Sequence, residues 1–501
     1  MLDNFLEKKV KQKLGLLFLL HSKDTVSTQD AINKLSLSKS NLSSLINEIN
    51  IDFDGLATIN IDGSEIELSK LKTVDFFRLS HAIYIHSDVI KCLKFFILND
   101  DENPFSNFID ENFLTKSVAY RIRKNCLNYL HCIGLDVKNN KIFGNEYRIR
   151  FLIALLHYKY GLEIYNIYDG SLDLVRKLIL SSNQSIDLNY LEQTINEYGY
   201  SELLIILSWK RKKYNVKVPY HKDFEKLKSL FIYDELINSV KNIIESNLNL
   251  EFSKDDYDYL FLVYCCTNNC IFADKWTYAS ISEVHDIVFN NKAFSDLLYR
   301  ISDKFGIDAE NSHPIKATLI YFFKKCLFEL QCIIPDKNFF IYSNQSPMTN
   351  TITEKLVDLL DSWRKDNCIE FEIDKAHIIY LSIQLKFIMR QFMKPIEVFL
   401  FSDLNAELEV IYLYLSRTFS KDRIKITPLL LNAQNKDFLH NKKNCIIIIH
   451  KKFEPIIDSL NLDKSNIIVP ITVEMNPFEI SSIQNAISKS EKIAFSNFIN
   501  N

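Results

Sequence analysis

Glycine and proline are scarce, with 9 Gly and 10 Pro in 501 residues, so the chain is expected to be mostly helical with short connections. Long apolar runs are missing as well. Leu14 to Leu20 stops between Lys13 and His21, and Ile446 to Ile449 is far shorter than the roughly 20 residues a membrane span needs. The opening Met1-Leu2-Asp3-Asn4-Phe5-Leu6-Glu7-Lys8 lacks a basic start, and no small-residue cleavage site follows an apolar run. No membrane association is expected, and the expected location is cytoplasmic. The 10 cysteines are scattered, and their densest group, Cys265-Cys266-Thr267-Asn268-Asn269-Cys270, lacks the second pair that a tetrahedral zinc site requires. They read as buried, inert thiols, with no metal and no cofactor expected.

What is present is globular composition, 47% hydrophobic and 25% charged, in a chain too long for one core. Its most informative stretch runs from Leu114 to Arg150. After Thr115-Lys116-Ser117, the residues Val118, Ile122, Cys126 and Leu130 recur at helical spacing. One face is therefore buried while Tyr120, Arg121, Arg123 and Lys124 project, the profile of a recognition helix. Leu135 to Val137 and Ile142-Phe143 flank Lys138-Asn139-Asn140-Lys141, which predicts a hairpin with a basic tip, a wing. Lys116, Arg121, Arg123, Lys124, Lys138, Lys141, Arg148 and Arg150 are offset only by Asp136 and Glu146, although the whole chain carries a formal charge of -3. A local basic surface on an acidic protein favours a polyanion at that place. The alternative is an ordinary solvated helix.

A second copy of the pattern favours the polyanion. Leu2 to Leu20 reads as a first helix, and Ser27-Thr28-Gln29-Asp30 opens a short one with Ala31, Ile32 and Leu35 inward. Ser36-Leu37-Ser38 is the turn. In the next helix Leu42, Leu45, Ile46 and Ile49 face in, while Lys39, Ser40, Asn41, Ser43 and Ser44 face out. Two alternating strands, 56–61 and 64–68, then flank Asp62-Gly63 as a hairpin. This copy is nearly neutral, and Asp62, Glu65 and Glu67 in its wing would be repelled by phosphate. The second copy is expected to supply most of the affinity, through Lys116, Ser117, Tyr120, Arg121, Arg123, Lys124, Lys138 and Lys141.

The series Leu114, Thr115, Ser117, Arg121, Leu127 and Leu130, followed by Ile142, Gly144, Glu146, Ile149 and Arg150, resembles the second winged helix of the Mga/AtxA-type transcription regulators. The resemblance implies two winged helices, two helical phosphotransferase-regulation domains (PRDs) and a C-terminal domain like a sugar-transporter EIIB subunit. The expected fold is thus mainly α and multidomain. The expected domains are a winged helix over 1–70, a second with its linking helix over 71–165, PRD-like bundles over 166–275 and 276–392, and an α/β domain over 393–501.

The residue pattern agrees with that order. Amphipathic segments follow a linking helix from Arg150 to Tyr165: Leu172 to Leu180, Leu188 to Glu197, Glu202 to Arg211, Phe224 to Ser229, Asp234 to Ser246 and Asp256 to Cys266. More recur over Ile281 to Phe305, Pro314 to Leu330, Thr351 to Arg364 and Lys375 to Phe392, beyond a linker near Asn268 to Ser280. From Ile396 the period changes. Apolar strands at 396–401, 424–431, 445–450 and 466–473 alternate with helices, predicting a parallel sheet covered on both faces.

The resemblance also implies histidines that accept phosphate from transporter carrier proteins. The matching positions here are Tyr264 or Cys265 and Ser382, none of them His. His221, His285, His313 and His377 do occur in these domains, and His221 and His377 are the candidate acceptors. An active EIIB also places a phosphate-accepting cysteine after its first strand, where this chain has Ser402-Asp403-Leu404-Asn405. The domain therefore reads as non-catalytic, serving self-association or sensing.

The leading expectation is a non-enzymatic, homodimeric regulator that binds promoter DNA and activates virulence or carbohydrate-linked genes. An RNA-binding antiterminator is the alternative, opposed by the helical N-terminus. A phosphotransferase-system interaction protein is the third, and the missing cysteine limits it to a non-catalytic role.

Overall fold

The computed structural model describes residues 2–22, 25–71, 73–183, 188–230, 232–269, 271–272, 275–289, 292–335, 346–430, 438–456 and 462–500, without the side chains of 22, 188–198, 278, 285, 288, 289 and 456. Cys270, the His285 side chain, Leu431 and parts of the linker expected near 268–280 fall outside them. The chain divides into two compact units, one of residues 1–295, 316–346 and 360–381, the other of 296–315, 347–359 and 382–501. No helix among the described residues is long and apolar enough to cross a membrane.

Local sequence accounts for the first winged helix in the first unit. A 3-10 turn, Leu2–Phe5, precedes α1 (Lys8–Ser22), so the long helix expected from Leu2 is split. β1 (Thr25–Ser27), α2 (Thr28–Leu35) and α3 (Lys39–Phe53) follow. Ser27 Oγ accepts from Asp30 N at 3.1 Å and Ser38 Oγ from Asn41 N at 3.3 Å, so each helix starts on a serine that satisfies an otherwise orphan amide. Leu42, Leu45, Ile46 and Ile49 are buried as their spacing requires. β2 (Ala57–Asp62) and β3 (Glu65–Lys70) turn at Gly63, whose φ is +59°, and β1 extends them into an antiparallel sheet of order β1-β3-β2. The Asn50 amide donates to Ile59 O at 3.0 Å and accepts from Ile59 N at 2.7 Å, pinning α3 to its wing.

The second winged helix comprises α4 (Phe76–Tyr84), α5 (Asp88–Leu98), α6 (Phe105–Glu111), α7 (Lys116–Cys132), β4 (Leu135–Lys138), β5 (Lys141–Gly144) and α8 (Glu146–Tyr160). It is held to the first by two half-buried carboxylates. Glu7 accepts from Ser87 Oγ at 2.7 Å and Val89 N at 2.9 Å, and Asp3 accepts from Tyr84 Oη and Lys159 Nζ. α8 is the linking helix, displaced from its expected span. It starts at Glu146 and ends on Gly161, whose φ of +69° closes it in the left-handed conformation.

α9 (Ser171–Ser182), α10 (Leu188–Lys210), α11 (Lys222–Leu230), α12 (Tyr233–Val240, prolonged by a π-helical turn), α13 (Lys254–Cys266), α14 (Tyr278–Phe289), α15 (Lys292–Phe305), α16 (His313–Phe323), α17 (Pro347–Asp366) and α18 (Lys375–Met389) form the helical part. Ser253 and Asp256 cap α13 reciprocally, at 3.3 and 2.9 Å. Three expectations are corrected. The segments at Leu188 and Glu202 are one helix, the segment from Ile281 to Phe305 is two, and the helix expected to reach Leu330 stops at Phe323. Beyond it Phe328 and Glu329 take left-handed φ of +54° and +57°. Their carbonyls accept from the Arg148 guanidinium, at 2.7 Å for Phe328 and 3.5 Å for Glu329, a tertiary contact that the helical pattern does not reveal.

One buried ionic cluster joins the second winged helix to the helices after it. The Glu146 carboxylate accepts from Arg150 Nε at 3.0 Å and from Arg211 Nε and Nη2 at 2.7 and 2.8 Å. Arg150 is fully buried, donates onward to Arg211 O and Tyr214 O, and lies 4.6 Å over the Tyr259 ring. Burial lowers the Arg211 pKa, but the Glu146 hydrogen bonds and charge outweigh it and raise it above the usual arginine range.

In the second unit β6 (Ile396–Ser402), α19 (Asn405–Thr418), β7 (Ile424–Leu430), β8 (Ile446–His450), β9 (Ile467–Ile471) and α20 (Pro477–Asn500) build a four-stranded parallel sheet of order β7-β6-β8-β9. Pro428 and Pro470 lie on β7 and β9, the edge strands, where a missing N–H does least harm. Val398, Leu400, Ile446 and Ile448 pack on Leu408, Ile411, Ile483 and Ile487 of the helices. The alternate residues Phe399, Phe401, Ile447 and Ile449 face the other side, against Leu439 and Cys445. Both faces are covered, as continuous apolar strands demand.

Candidate nucleic-acid interface

The candidate interface is assembled from α5, α6 and α7. Ser87 Oγ caps α5 by accepting from Ile90 N at 3.4 Å, and Thr115 Oγ1 caps α7 by accepting from Val118 N at 3.5 Å. Between α6 and α7 the chain turns through Phe113, which has φ +52° and is 96% exposed. Ala119, Ile122, Cys126, Tyr129 and Leu130 are the buried face of α7. Beneath it Phe96, Phe105 and Phe108 stack, with Phe105 and Phe108 centroids 5.3 Å apart. A rigid aromatic floor therefore fixes which residues of α7 point outward.

Lys116, Ser117, Tyr120, Arg121 and Lys124 are exposed, as expected. Among the described residues Lys116, Arg121 and Lys124 have no carboxylate partner. Arg123 departs from the expectation. Its guanidinium lies 5.0 Å over the Phe105 ring and its Nε is buried, so it packs on the aromatic floor rather than projecting. Tyr120, with its centroid 5.9 Å from that of Phe105, covers the same ring from the exposed side.

The wing forms through Asn139 and Asn140, both at positive φ, the two-residue turn that suits the twist of a hairpin. Gly144 ends it at φ +145°, where a Cβ would lie 2.6 Å from Leu135 Cδ2. Lys138 is exposed, with its ammonium 3.7 Å over the Phe143 ring. Lys141 is paired: its ammonium is 2.9 Å from Asp100, which also accepts from Lys213 Nζ at 2.7 Å and from Tyr214 Oη. Hydrogen bonds from Lys213 and Tyr214, then Lys141, hold the Asp100 carboxyl well below the usual range, and Asp100 in turn raises Lys141. Asn139 and Asn140 donate to Glu102 and Asn103 O at 3.0 and 3.3 Å, so the whole tip rests on the acidic loop after α5.

The N-terminal copy presents Lys39, Ser40, Asn41 and Ser44 to solvent, while Ser43 is half-buried and donates to Lys39 O at 3.3 Å. Asp62, Glu65 and Glu67 are exposed on its wing. The outer face of α3 is polar with one cation, Lys39, so the contrast between the two recognition-type helices follows the side chains.

Of the candidate phosphate acceptors, His221 is exposed, its ring 5.6 Å from that of Phe328. His377 is corrected. It is 2% exposed, with Nε2 2.7 Å from Gln331 O and Nδ1 3.3 Å from Lys325 Nζ, so neither nitrogen is presented to a carrier protein. Ser382 is buried and accepts from Thr353 Oγ1 at 3.0 Å. After β6, Ser402 donates to Glu407 at 2.6 Å and Lys452 pairs with Asp403 at 2.6 Å, so two carboxylates occupy the place a phosphate would need. Cys445 lies at the other end of the strands, its thiol pushed up to about 11 by burial.

Asp100, Phe105 and Phe108 escaped sequence reading. Only the three-residue spacing of the two phenylalanines could have hinted at a floor under α7, and nothing near Asp100 signalled the wing.

The Mga helix-turn-helix domain model matches residues 73–157, which contain this candidate interface and its wing. The model of the M protein trans-acting positive regulator (MGA) PRD domain matches residues 182–365. Together they cover more than half of the chain. No curated protein matches it.

Asp100→Asn keeps the Tyr214 contact and removes the charge that neutralises Lys141. The variant is expected to bind duplex DNA more tightly at low salt, with a salt slope steeper by about one unit if one phosphate contact is gained. An unchanged slope in a filter-binding salt series would show that the wing stays off the backbone.

Proposed function

The chain belongs to the Mga-type transcriptional regulators with PRD domains, and on that premise we propose that it is a cytoplasmic, homodimeric activator of virulence or carbohydrate-linked genes. As a member it is a DNA-binding regulator, not an enzyme. The observation that carries the proposal is the outer face of α7, where Lys116, Arg121 and Lys124 are exposed without carboxylate partners among the described residues. Arg121 and Lys124 contact phosphates or guanine edges, and Tyr120 and Lys138 pack on the backbone beside them. Ser117 and the polar face of α3, with Lys39, Ser40, Asn41, Ser43 and Ser44, add hydrogen bonds with little charge. Activation is supported by the matched PRD model, which is described as that of a positive regulator. His221 is the remaining candidate for phosphate from a transporter carrier protein. An RNA antiterminator is not favoured, because the N-terminus is a winged helix.

The EIIB-like domain is the proposed dimer contact. Along α19 Val410, Leu413 and Tyr414 are 59, 57 and 41% exposed, and their spacing puts them on one face. Two-fold pairing there would place two reading heads on one duplex.

Two measurements check this. Across a salt series with a pool of duplex DNA, Arg121→Ala and Lys124→Ala are each expected to lower the salt slope by about one unit. Arg123→Ala is expected to leave the slope unchanged and to lower the melting temperature, because it uncovers Phe105. Equal slopes for wild type and Arg121→Ala would remove α7 as the grip. For the dimer, Leu413→Asp is expected to convert the protein to a monomer in sedimentation equilibrium. A variant that still dimerises would place the contact elsewhere.

A further inference from the structure

A cavity of about 200 Å³ lies in the first unit among α11, α13, α14 and the segment after α16. Trp276, Phe294, Phe323, Phe328 and Phe371 line it, and Lys324 is a charged residue in its wall. At an interior packing density of about 0.74 this space takes roughly ten non-hydrogen atoms. An apolar wall with a few placed polar groups is the usual make-up of a small-molecule site. His221 is exposed and Asp223 half-exposed, which puts the mouth at the start of α11. The Asp223 carboxylate is 3.9 Å from Lys226.

Lys324 is the cation of the cavity wall, set against the Asp223 carboxylate at the mouth. Its ammonium donates to Thr267 O at 2.8 Å, which uses one of three N–H groups. Burial, then the adjacent Lys325, push its pKa down to about 7, so an anion beside it would restore a charge that the protein holds at a cost. Another part of the wall belongs to the strained turn. Phe328, at φ +54°, packs on Phe224 and Tyr147 with centroids 5.4 and 6.3 Å apart. Its carbonyl accepts from Arg148 Nη2 at 2.7 Å, and Nη1 of the same guanidinium donates at 3.0 Å to Ile133 O, the C-cap of the recognition helix. Cavity wall and reading head thus share one side chain.

We propose that this cavity binds a small carboxylic acid with an apolar body, a medium-chain fatty acid or an arylalkanoic acid, whose carboxylate pairs with Lys324, and that occupancy acts on α7 through Phe328 and Arg148. The second half rests on α7 being the DNA grip. A ligand that moves Phe328 alters the geometry at Arg148, and the coupling must be reciprocal: DNA changes the affinity for the acid by the factor by which the acid changes the affinity for DNA.

Isothermal titration of the full-length protein with octanoate tests the first half without DNA. One saturable site per chain is expected, with octanoate bound more tightly than 1-octanol or octylamine. Lys324→Met, which replaces the ammonium at the cavity wall by an apolar chain of similar length, is expected to fold and to bind octanoate about tenfold more weakly, without preference over 1-octanol. Absence of saturable binding, or equal affinities in wild type and Lys324→Met, overturns the site; tighter binding of octanol or octylamine overturns the carboxylate. The second half is read from duplex affinity with and without saturating octanoate. A shift in wild type that disappears in Arg148→Ala supports it, and no shift, or the same shift in Arg148→Ala, overturns it. A protein that binds octanoate but no DNA leaves the site standing and fails the regulatory reading alone.

Discussion

The first unit depends on one carboxylate held between two guanidinium groups. Glu146 opens the helix that closes the second winged helix, and Arg211 closes the long helix of the bundle that follows, so their contact joins the winged helix to that bundle. Arg150, one turn along α8, supplies the second cation from the same helix as the acid. Such a cluster is weak evidence for stability, since both charges lose water and apolar replacements often serve as well. Removing one member is another matter, costing about 3–5 kcal/mol because the remaining charges stay buried. Its physical effect is to permit one docking of α8 on α10, because planar, two-pronged hydrogen bonds tolerate little misalignment.

That fixed docking gives meaning to the distribution of cations on the head. Around α7 the basic residues have divided into distinct tasks. Arg148 and Arg150 bind carbonyls and a carboxylate inside the protein, Arg123 covers an aromatic ring, and Lys141 is neutralised by Asp100. Lys116, Arg121 and Lys124 are left on one outer face. The count of basic residues in the segment therefore overstates its charge toward a polyanion. The face that remains lies along a single helix, the element that a major groove admits.

Much of this order was legible in the residues because it arises from local physics. Ser38 and Thr115 announced helix starts, Leu42, Leu45, Ile46 and Ile49 announced a buried face, and the isoleucine runs announced a covered parallel sheet. The motif that ends in Glu146 and Arg150 pointed to the right residues before their pairing was visible. What stayed hidden were partners distant in sequence. Nothing near Arg123 predicts that Phe105 will lie beneath it, and nothing near Lys141 predicts Asp100. The helix end at Phe323 was hidden too, since no Gly or Pro marks it and its left-handed turn is held by Arg148. His377 was a candidate acceptor by residue type and domain, but its burial is decided by Lys325 and Gln331 from another segment.

The most direct test of the central claim is native-state hydrogen exchange on the intact protein, comparing wild type with Glu146→Gln. If the buried cluster joins head and body, amides of α8 and α10 will lose protection together in the variant, while those of the C-terminal sheet remain as in wild type. Loss of protection in α8 alone, or in neither helix, would contradict the account, because α10 would then be held without Glu146.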